Sequence, residues 1–433
     1  MIDTKIIKDD PDRIRAELEK RGVDLDVDRL IALDTERRES QQEYDELRSQ
    51  QKGIKGPTEG KKLKTKLKKL EDERRSVEQE FDTLYLQLPN FAADDVPKGK
   101  DESGNVPGKS VGKKPKLKDP KPHYEIPGIK PLIDFKRGAK VSGNRFWFLK
   151  GALVQLEFAL VRYTLDFYEK QGFIAMRPPT IVKYGAMQDT GFFPAETGQI
   201  YAVDNRAKTD EEQAERQAIE AKYNIPSEVT QGANTLYLSG TAEVPLASYH
   251  AGETLGPKDL PVKYIGFAPA YRREAGSYGK DTKGILRGHE FDKLELFVFS
   301  APDKSTQQHE ELQAQAEEFW QSLNIPFQVV NICTGDLGAP NAKKLDIEAW
   351  MPGESRYREV ASNSNDTDFQ ARRLKIKSNK ELVHTLNNTA CAIGRAIVAI
   401  TENYQQEDGS VDMPEVLHPY LPFKKITNIG DTE

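Results

Sequence analysis

Residues 267–299 read FAPAYRREAGSYGKDTKGILRGHEFDKLELFVF. Up to Ala275 the run is apolar and β-prone. From Gly276 to Gly288 it is glycine-rich and charged, and beyond Glu290 the residues Phe291, Leu294, Leu296 and Phe299 return among charges. The pattern predicts a strand, a long loop and a returning strand. Arg272 and Arg273 enter the loop and Arg287 leaves it, with Glu274, Glu290 and Glu295 interleaved. A hairpin with guanidinium groups and carboxylates at its base suits a bound polyanion and its cationic partner. Arginine fits because its planar fork meets phosphate oxygens two at a time and keeps its charge. A hairpin of solvated charges would read the same on this stretch alone.

The chain is 433 residues long, enough for a large core and more than one domain. With 37% hydrophobic and 30% charged residues, the composition is that of a soluble globular chain. A net charge of -6 gives no global basicity, so any nucleic-acid contact must come from a local patch. Cys333 and Cys391 are the only cysteines. They make neither a disulfide framework nor a thiolate metal site, and they fit a reducing compartment. The opening MIDTKIIKDD lacks an apolar h-region, and no run approaches the roughly eighteen apolar residues of a membrane span. A cytoplasmic enzyme is the expectation.

Upstream, Asp9 or Asp10 can cap a short helix with Pro11 in its first turn and Gly22 as its stop. Leu30, Leu33, Tyr44, Leu47 and Ile54 then fall at three/four spacing, with Arg37 in the same seam. After a glycine-rich break from Gly53 to Gly60, a second series runs through Leu63, Leu67, Leu70, Val77, Phe81, Leu84 and Leu88, with Arg74 in register. Two such segments predict an antiparallel two-helix arm over about 27–88, apolar only along its seam and projecting into solvent. Near its tip stand Lys52, Lys55, Lys61, Lys62, Lys64 and Lys66. These lysines lie without interleaved aromatics. That composition suits either a solvated face or contact with a phosphate backbone rather than base reading. Asn90–Pro122, rich in Pro, Gly, Lys and Asp, reads as a linker.

Downstream, Phe146–Gln171 reads as a strong amphipathic helix stopped by Gly172, followed by a short strand ended by Pro178-Pro179. Asp204–Gln231 reads as a polar insertion around a charged helix. The tetrad Gly240-Thr241-Ala242-Glu243 follows a strand, where a hydroxyl and a carboxylate can take a small ammonium group or simply cap the next segment. Glu359 and Ser362 offer the hard oxygens that Mg²⁺ accepts beside phosphates. Asn387–Arg395 leads into an apolar helix, with Arg395 in its first turns where the dipole adds to its charge. No Ser-His-Asp or Cys-His arrangement is evident.

Taken in order, these segments resemble one family, the seryl-tRNA synthetases of class II, over nearly the whole chain. Gly172–Pro178 is similar to motif 1, Tyr271–Glu295 to motif 2 and Asn387–Arg395 to motif 3. Thr241-Ala242-Glu243 is similar to the serine-binding triplet, and Asp368–Arg373 to the stretch after the metal site. The resemblance implies an α+β fold: a six- or seven-stranded antiparallel sheet flanked by helices, dimerising through motif 1 and carrying an N-terminal coiled-coil arm. The domains would be 1–122, with the arm and linker, and 123–433, the catalytic body. The implied reaction joins L-serine and ATP into seryl-adenylate and passes the seryl group to tRNA(Ser), and to tRNA(Sec).

Roles follow from the same resemblance. Arg272 would hold the α-phosphate, Glu274 would face the adenine amino group and Phe291 would stack on the ring. Arg287 and Arg395 would meet the far phosphates. Arg273, Val360 and Ala361 would complete the ATP site, and Arg272 and Arg395 would be catalytic. Glu359 and Ser362 would hold Mg²⁺. Thr241, Ala242, Glu243, Glu295 and Thr389 would surround serine, and the arm lysines Lys55, Lys61, Lys62, Lys64 and Lys66 would take tRNA. The chain departs from the family pattern at Asn388, Ala361, Asn363 and Asp366, and in the length of the Asp204–Gln231 insertion. Three other readings are a serine-activating relative that charges a carrier protein, a pseudo-synthetase that only binds RNA, and a class II synthetase for threonine or proline. The retained arm counts against the first, the complete set of arginines against the second, and the arm with Thr241-Ala242-Glu243 against the third.

Overall fold

The computed structural model describes residues 1–51, 56–203, 214, 218, 235–275 and 283–433. The predicted insertion helix, Lys52, Lys55 and the loop section 276–282 lie outside the described residues.

The N-terminal helix forms where its signals place it. Pro11–Arg21 is helical, the Asp10 side chain accepts the Arg13 N–H, and Gly22 closes the helix at φ 63. The arm helices are Val27–Gln51 and Pro57–Tyr85. Pro57 opens the second one, so the break is shorter than the expected Gly53–Gly60. Apolar seam residues separate into two groups. At the root, Leu30, Leu33 and Phe81 are buried with Ile7, Ile14 and Leu18 of the preceding helices, and farther out Leu47, Leu67 and Leu70 form a small cluster. Between them the seam is polar: Arg37 stacks on Phe81 at 4.2 Å and Arg74 on Tyr44 at 4.5 Å. Burying each root side chain contributes about 2 kcal/mol, so the root rather than the tip anchors the arm.

The body is built on an eight-stranded sheet. Its order is Val106–Val111, Phe327–Asn331, Lys343–Met351, Arg356–Thr367, His384–Ala392, Glu290–Ser300, Val262–Tyr271 and Ile174–Met176. Every pairing is antiparallel except that of Ile174–Met176 with Val262–Tyr271, which is parallel. The sheet is therefore wider than expected, and one edge corrects the reading of Asn90–Pro122 as a linker. Val106–Val111 pairs with Phe327–Asn331, and Val96 packs on Val330 and Ile332. Composition misled here because an edge strand needs few apolar residues and tolerates glycine and proline. The long helix is Ala152–Glu169, shorter than predicted, because Phe148–Leu149 pairs as a strand with Ile133–Asp134. Helices Ala152–Glu169, Ser305–Ser322 and Ile393–Asn403 cover one face of the sheet and bury its main core.

The departures at Asn363 and Asn388 have a structural reason. They are register partners on adjacent strands, both buried, and both point at the Ser305–Ser322 helix. Asn388 Nδ2 donates to the Leu312 carbonyl at 3.1 Å and Asn363 Nδ2 to that of His309 at 3.0 Å, while His309 Nε2 donates to the Asn363 carbonyl at 3.1 Å. Burial keeps His309 neutral and pushes its pKa down to about 4. Between its ordinary 6.5 and 4 the unfolded chain binds the extra proton, so stability falls as pH drops through that window, by up to about 3 kcal/mol. Denaturation curves from pH 7 to 4.5 should show the wild type losing more stability than His309→Gln. Equal slopes would contradict this reading.

Candidate active site

The hairpin forms as read, with Tyr271 opposite Glu290 and Gly266 opposite Glu295. Period two then sends Phe291, Lys293 and Glu295 to the face away from the main core. Arg272 leaves the first strand with its backbone N–H donating to the His289 carbonyl at 2.9 Å and its Nε to the Gly240 carbonyl at 3.2 Å. Its guanidinium carbon stands 5.6 Å from the Phe291 ring centroid. Glu274 sits at φ 52, in the left-handed region, and pairs with Arg287 at 2.6 Å. Gln199 holds this turn: its backbone carbonyl takes the Arg273 N–H at 2.8 Å and its side chain bonds both backbone groups of Ala275.

Two β-bulges aim the neighbouring strands. In Arg356–Thr367 the register shifts between Glu359 and Ala361. Val360 and Ala361 are both buried in the main core, so Glu359 and Ser362, three residues apart, emerge on the same face. In His384–Ala392 the shift falls between Thr389 and Cys391. Ala390 and Cys391 both face the core, and Thr389 faces Glu295 with its hydroxyl 3.5 Å from the carboxylate. Arg395, third in the Ile393–Asn403 helix, donates through Nη1 to the Glu359 carbonyl at 2.8 Å and lies 3.2 Å from its carboxylate.

Glu359 is the electrostatic meeting point. Protein crowding opposes its ionisation, and Arg395, Lys344, Arg272 and Lys293 outweigh that, holding its pKa at about 2. Its side chain is nevertheless 46% exposed. An accessible carboxylate ringed by cations marks the open mouth of a cleft. Asp346, opposite Ser362, is pushed up to about 7 by burial, and its Oδ1 has no hydrogen-bond partner among the described residues.

Beside the cations lies a buried acidic cluster. Thr241, Glu243, Glu295, Asp366 and Thr389 are all buried. Glu295 pairs with Lys293 at 2.6 Å, and Asp366 accepts from Asn341 at 2.7 Å. Burial, then the charges of Asp366 and Glu295, raises Glu243 well above the usual carboxylate range, against a hydrogen bond from Gln370 and the Lys293 charge. The helix Glu243–Ser248 sits so tightly on the sheet that a Cβ at Gly266 would lie 2.8 Å from Leu246 Cδ1. Thr241 Oγ1 also accepts the Glu243 N–H at 3.3 Å, so the capping alternative holds alongside the pocket.

The structure thus gathers Arg272, Phe291, Glu359, Ser362 and Arg395 about one cleft, and Thr241, Glu243, Glu295 and Thr389 about the adjoining pocket. Glu274 and Arg287 pair at its hairpin rim. Three expected contributors differ. Ala242, Val360 and Ala361 bury their side chains in core clusters, leaving only backbone toward any ligand. Arg273 is exposed. The arm lysines Lys61, Lys62, Lys64 and Lys66 are exposed in the first turns of the second arm helix, Lys66 paired with Glu43 at 2.9 Å. Sequence reasoning missed Lys293, Lys344 and Asp366. The signal for Lys293 was its two-residue spacing from Glu295, which puts both on one face of a strand.

An antiparallel sheet carrying this hairpin, this bulged strand and this arginine-bearing helix defines the class II aminoacyl-tRNA synthetase core. The family profile described as tRNA synthetase class II core domain (G, H, P, S and T) matches residues 227–404, and the Seryl-tRNA synthetase N-terminal domain matches residues 1–56. The chain is 40% identical to the serine--tRNA ligase of Dictyoglomus turgidum, over 98% of this chain and 99% of that protein. It is also 40% identical to that of Pyrococcus horikoshii, over 100% and 99%. The crystal structure of the P. horikoshii seryl-tRNA synthetase complexed with ATP superposes with a TM-score of 0.85 at 39% identity, covering 99% of each chain. That of the cytoplasmic Naegleria fowleri serine-tRNA ligase in complex with AMP gives 0.82 at 32%, also covering 99% of each chain. The chain belongs to the seryl-tRNA synthetase family.

Proposed function

We infer that the chain joins L-serine to ATP as seryl-adenylate and then esterifies the 3′ end of tRNA(Ser), and of tRNA(Sec). The observation that carries this is the convergence of Arg272 and Arg395 on Glu359, beside a buried pocket of hydroxyl and carboxylate groups. Attack of a carboxylate on phosphorus brings two anions together. Fixed cations and positioning lower that barrier, and no protein nucleophile is needed. Arg272 is suited to the α-phosphate, Phe291 to the adenine ring, and Arg395 and Arg287 to the far phosphates. Glu274 is suited to the adenine amino group, reorienting from Arg287.

Glu359 and Ser362 fit a magnesium ion: both are hard oxygen donors on one face, and Asp346 adds an oxygen that has no hydrogen-bond partner among the described residues. When bound, Mg²⁺ would neutralise the phosphates during transfer. Thr241 and Glu243 are suited to the serine ammonium, and Glu295 and Thr389 to its hydroxyl. A site that bonds the hydroxyl rejects alanine, whose binding would leave those groups unpaired, whereas threonine is excluded by crowding. A homodimer is supported by the unpaired edge of Ile174–Met176 and by Phe158 and Ile174, 66% and 59% exposed. A cytoplasmic location accords with two free cysteines, both buried. Among the described residues no helix is long and apolar enough to cross a membrane.

ATP–pyrophosphate exchange with each amino acid tests the reading. Serine is expected to support exchange, with alanine and threonine lower by about a hundredfold or more. Exchange with threonine but not serine would overturn the specificity. Exchange with serine but no charging of tRNA would favour the carrier-protein or pseudo-synthetase alternative.

A further inference from the structure

Gln370 has no role in the chemistry above, yet it is fully buried against the serine pocket. It stands in the Phe369–Leu374 helix, and its amide Nε2 donates to Glu243 Oε1 at 2.8 Å and to the Thr190 carbonyl at 3.1 Å. The helix is firmly seated. Phe369 and Ala371 are fully buried, and Arg373 donates to the Gln188 carbonyl at 2.5 Å and the Leu86 carbonyl at 3.3 Å. A donor held this rigidly fixes the direction of the carboxylate it bonds.

The electrostatics give that donor a task. Asp366, from the Arg356–Thr367 strand, and Glu295, from the Glu290–Ser300 strand, both act on Glu243. Lys293, on the latter strand, acts the other way, and the Met1 ammonium, which donates to the Phe369 carbonyl beside Gln370 at 2.7 Å, acts on Asp366. Burial above all, then the charges of Asp366 and Glu295, pushes Glu243 toward its protonated form. A protonated carboxyl is a poor acceptor for an ammonium group. The Gln370 N–H opposes that protonation because it bonds the charged form.

We propose that Gln370 is a positioning residue for the amino-group pocket, holding the Glu243 carboxyl aimed at the ammonium of the amino-acid substrate. This rests on the reading of Thr241 and Glu243 as the amino-acid site. The test is steady-state pyrophosphate exchange with Gln370→Met and Gln370→Glu, with Glu243→Gln as reference. Gln370→Met keeps the length and loses the donor, and Gln370→Glu keeps the shape and sets a second carboxyl against Glu243. The serine KM should rise about tenfold or more in each, with the ATP KM unchanged within about twofold. In Gln370→Met the acid-side fall of 1/KM for serine should move to higher pH, a shift that packing damage would not produce. If Gln370→Met folds poorly by circular dichroism, the isosteric Gln370→Glu supplies the reading. A serine KM within about twofold of wild type in both variants, or ATP and serine KM rising in equal proportion, would overturn the proposal. Should Glu243→Gln also leave the serine KM unchanged, the amino-acid site reading itself falls. Should Glu243→Gln raise it while the Gln370 variants do not, only the role of Gln370 is lost.

Discussion

Arg272→Ala is expected to lower serine-dependent ATP–pyrophosphate exchange about a thousandfold or more at saturating substrates. The residue is committed to the cleft: within the protein its guanidinium bonds the Gly240 carbonyl and leans over Phe291. Its charge acts on Glu359 together with that of Arg395. Charge builds on the α-phosphate during attack, and on the proposed reading alanine removes the cation that meets it. Arg272→Lys should fall between, because it restores charge but not the two-pronged fork. Thermal stability should change little, since one bond to a carbonyl is lost. Exchange within about tenfold of wild type for Arg272→Ala would show that this arginine does not hold the reacting phosphate.

Removing the outer arm should have the opposite signature. Deleting Arg38–Arg75 and bridging the ends with a short glycine-serine linker removes Leu47, Leu67 and Leu70 together with Lys61, Lys62, Lys64 and Lys66. It spares the root, where Leu30, Leu33 and Phe81 pack with Ile7, Ile14 and Leu18. Pyrophosphate exchange should stay within about twofold, because none of the described residues removed is among those gathered at the cleft. Charging of tRNA(Ser) should fall about a hundredfold or more in kcat/KM, and its salt dependence should flatten as phosphate contacts disappear. Deleting the whole of Leu30–Leu88 would instead dismantle the root core and blur the two effects. Unimpaired charging by the trimmed protein would place the RNA contact elsewhere.

The parts that could be read in the sequence are those governed by short-range patterning. Asp10, Pro11 and Gly22 marked a helix because capping and backbone preference are local. The Arg272–Glu295 hairpin showed itself through alternation on both sides of a glycine-rich loop. What stayed hidden depends on register. The shifts at Val360 and Ala390 decide which side chains meet, and nothing in the alternation of 356–367 or 384–392 announces them. For that reason Val360 and Ala361 were grouped with the ligand-facing residues although their side chains are in the core. Asp366, read only as a departure from the family pattern, and Gln370, read only within Asp368–Arg373, were given no contact in the site for a related reason: their partners Asn341 and Glu243 lie 25 and 127 residues away in sequence. The strand Val106–Val111 escaped because its ladder is made with Phe327–Asn331, more than two hundred residues on.

The most direct test of the account is a crystal structure with a non-hydrolysable seryl-adenylate analogue in which a sulfamoyl group replaces the phosphate. The analogue should lie across the cleft with its sulfamoyl oxygens on the Arg272 guanidinium, its adenine on Phe291 and its hydroxymethyl group between Glu295 and Thr389. An analogue bound with its sulfamoyl group away from Arg272, or with its seryl end outside the Thr241–Glu243 pocket, would contradict it.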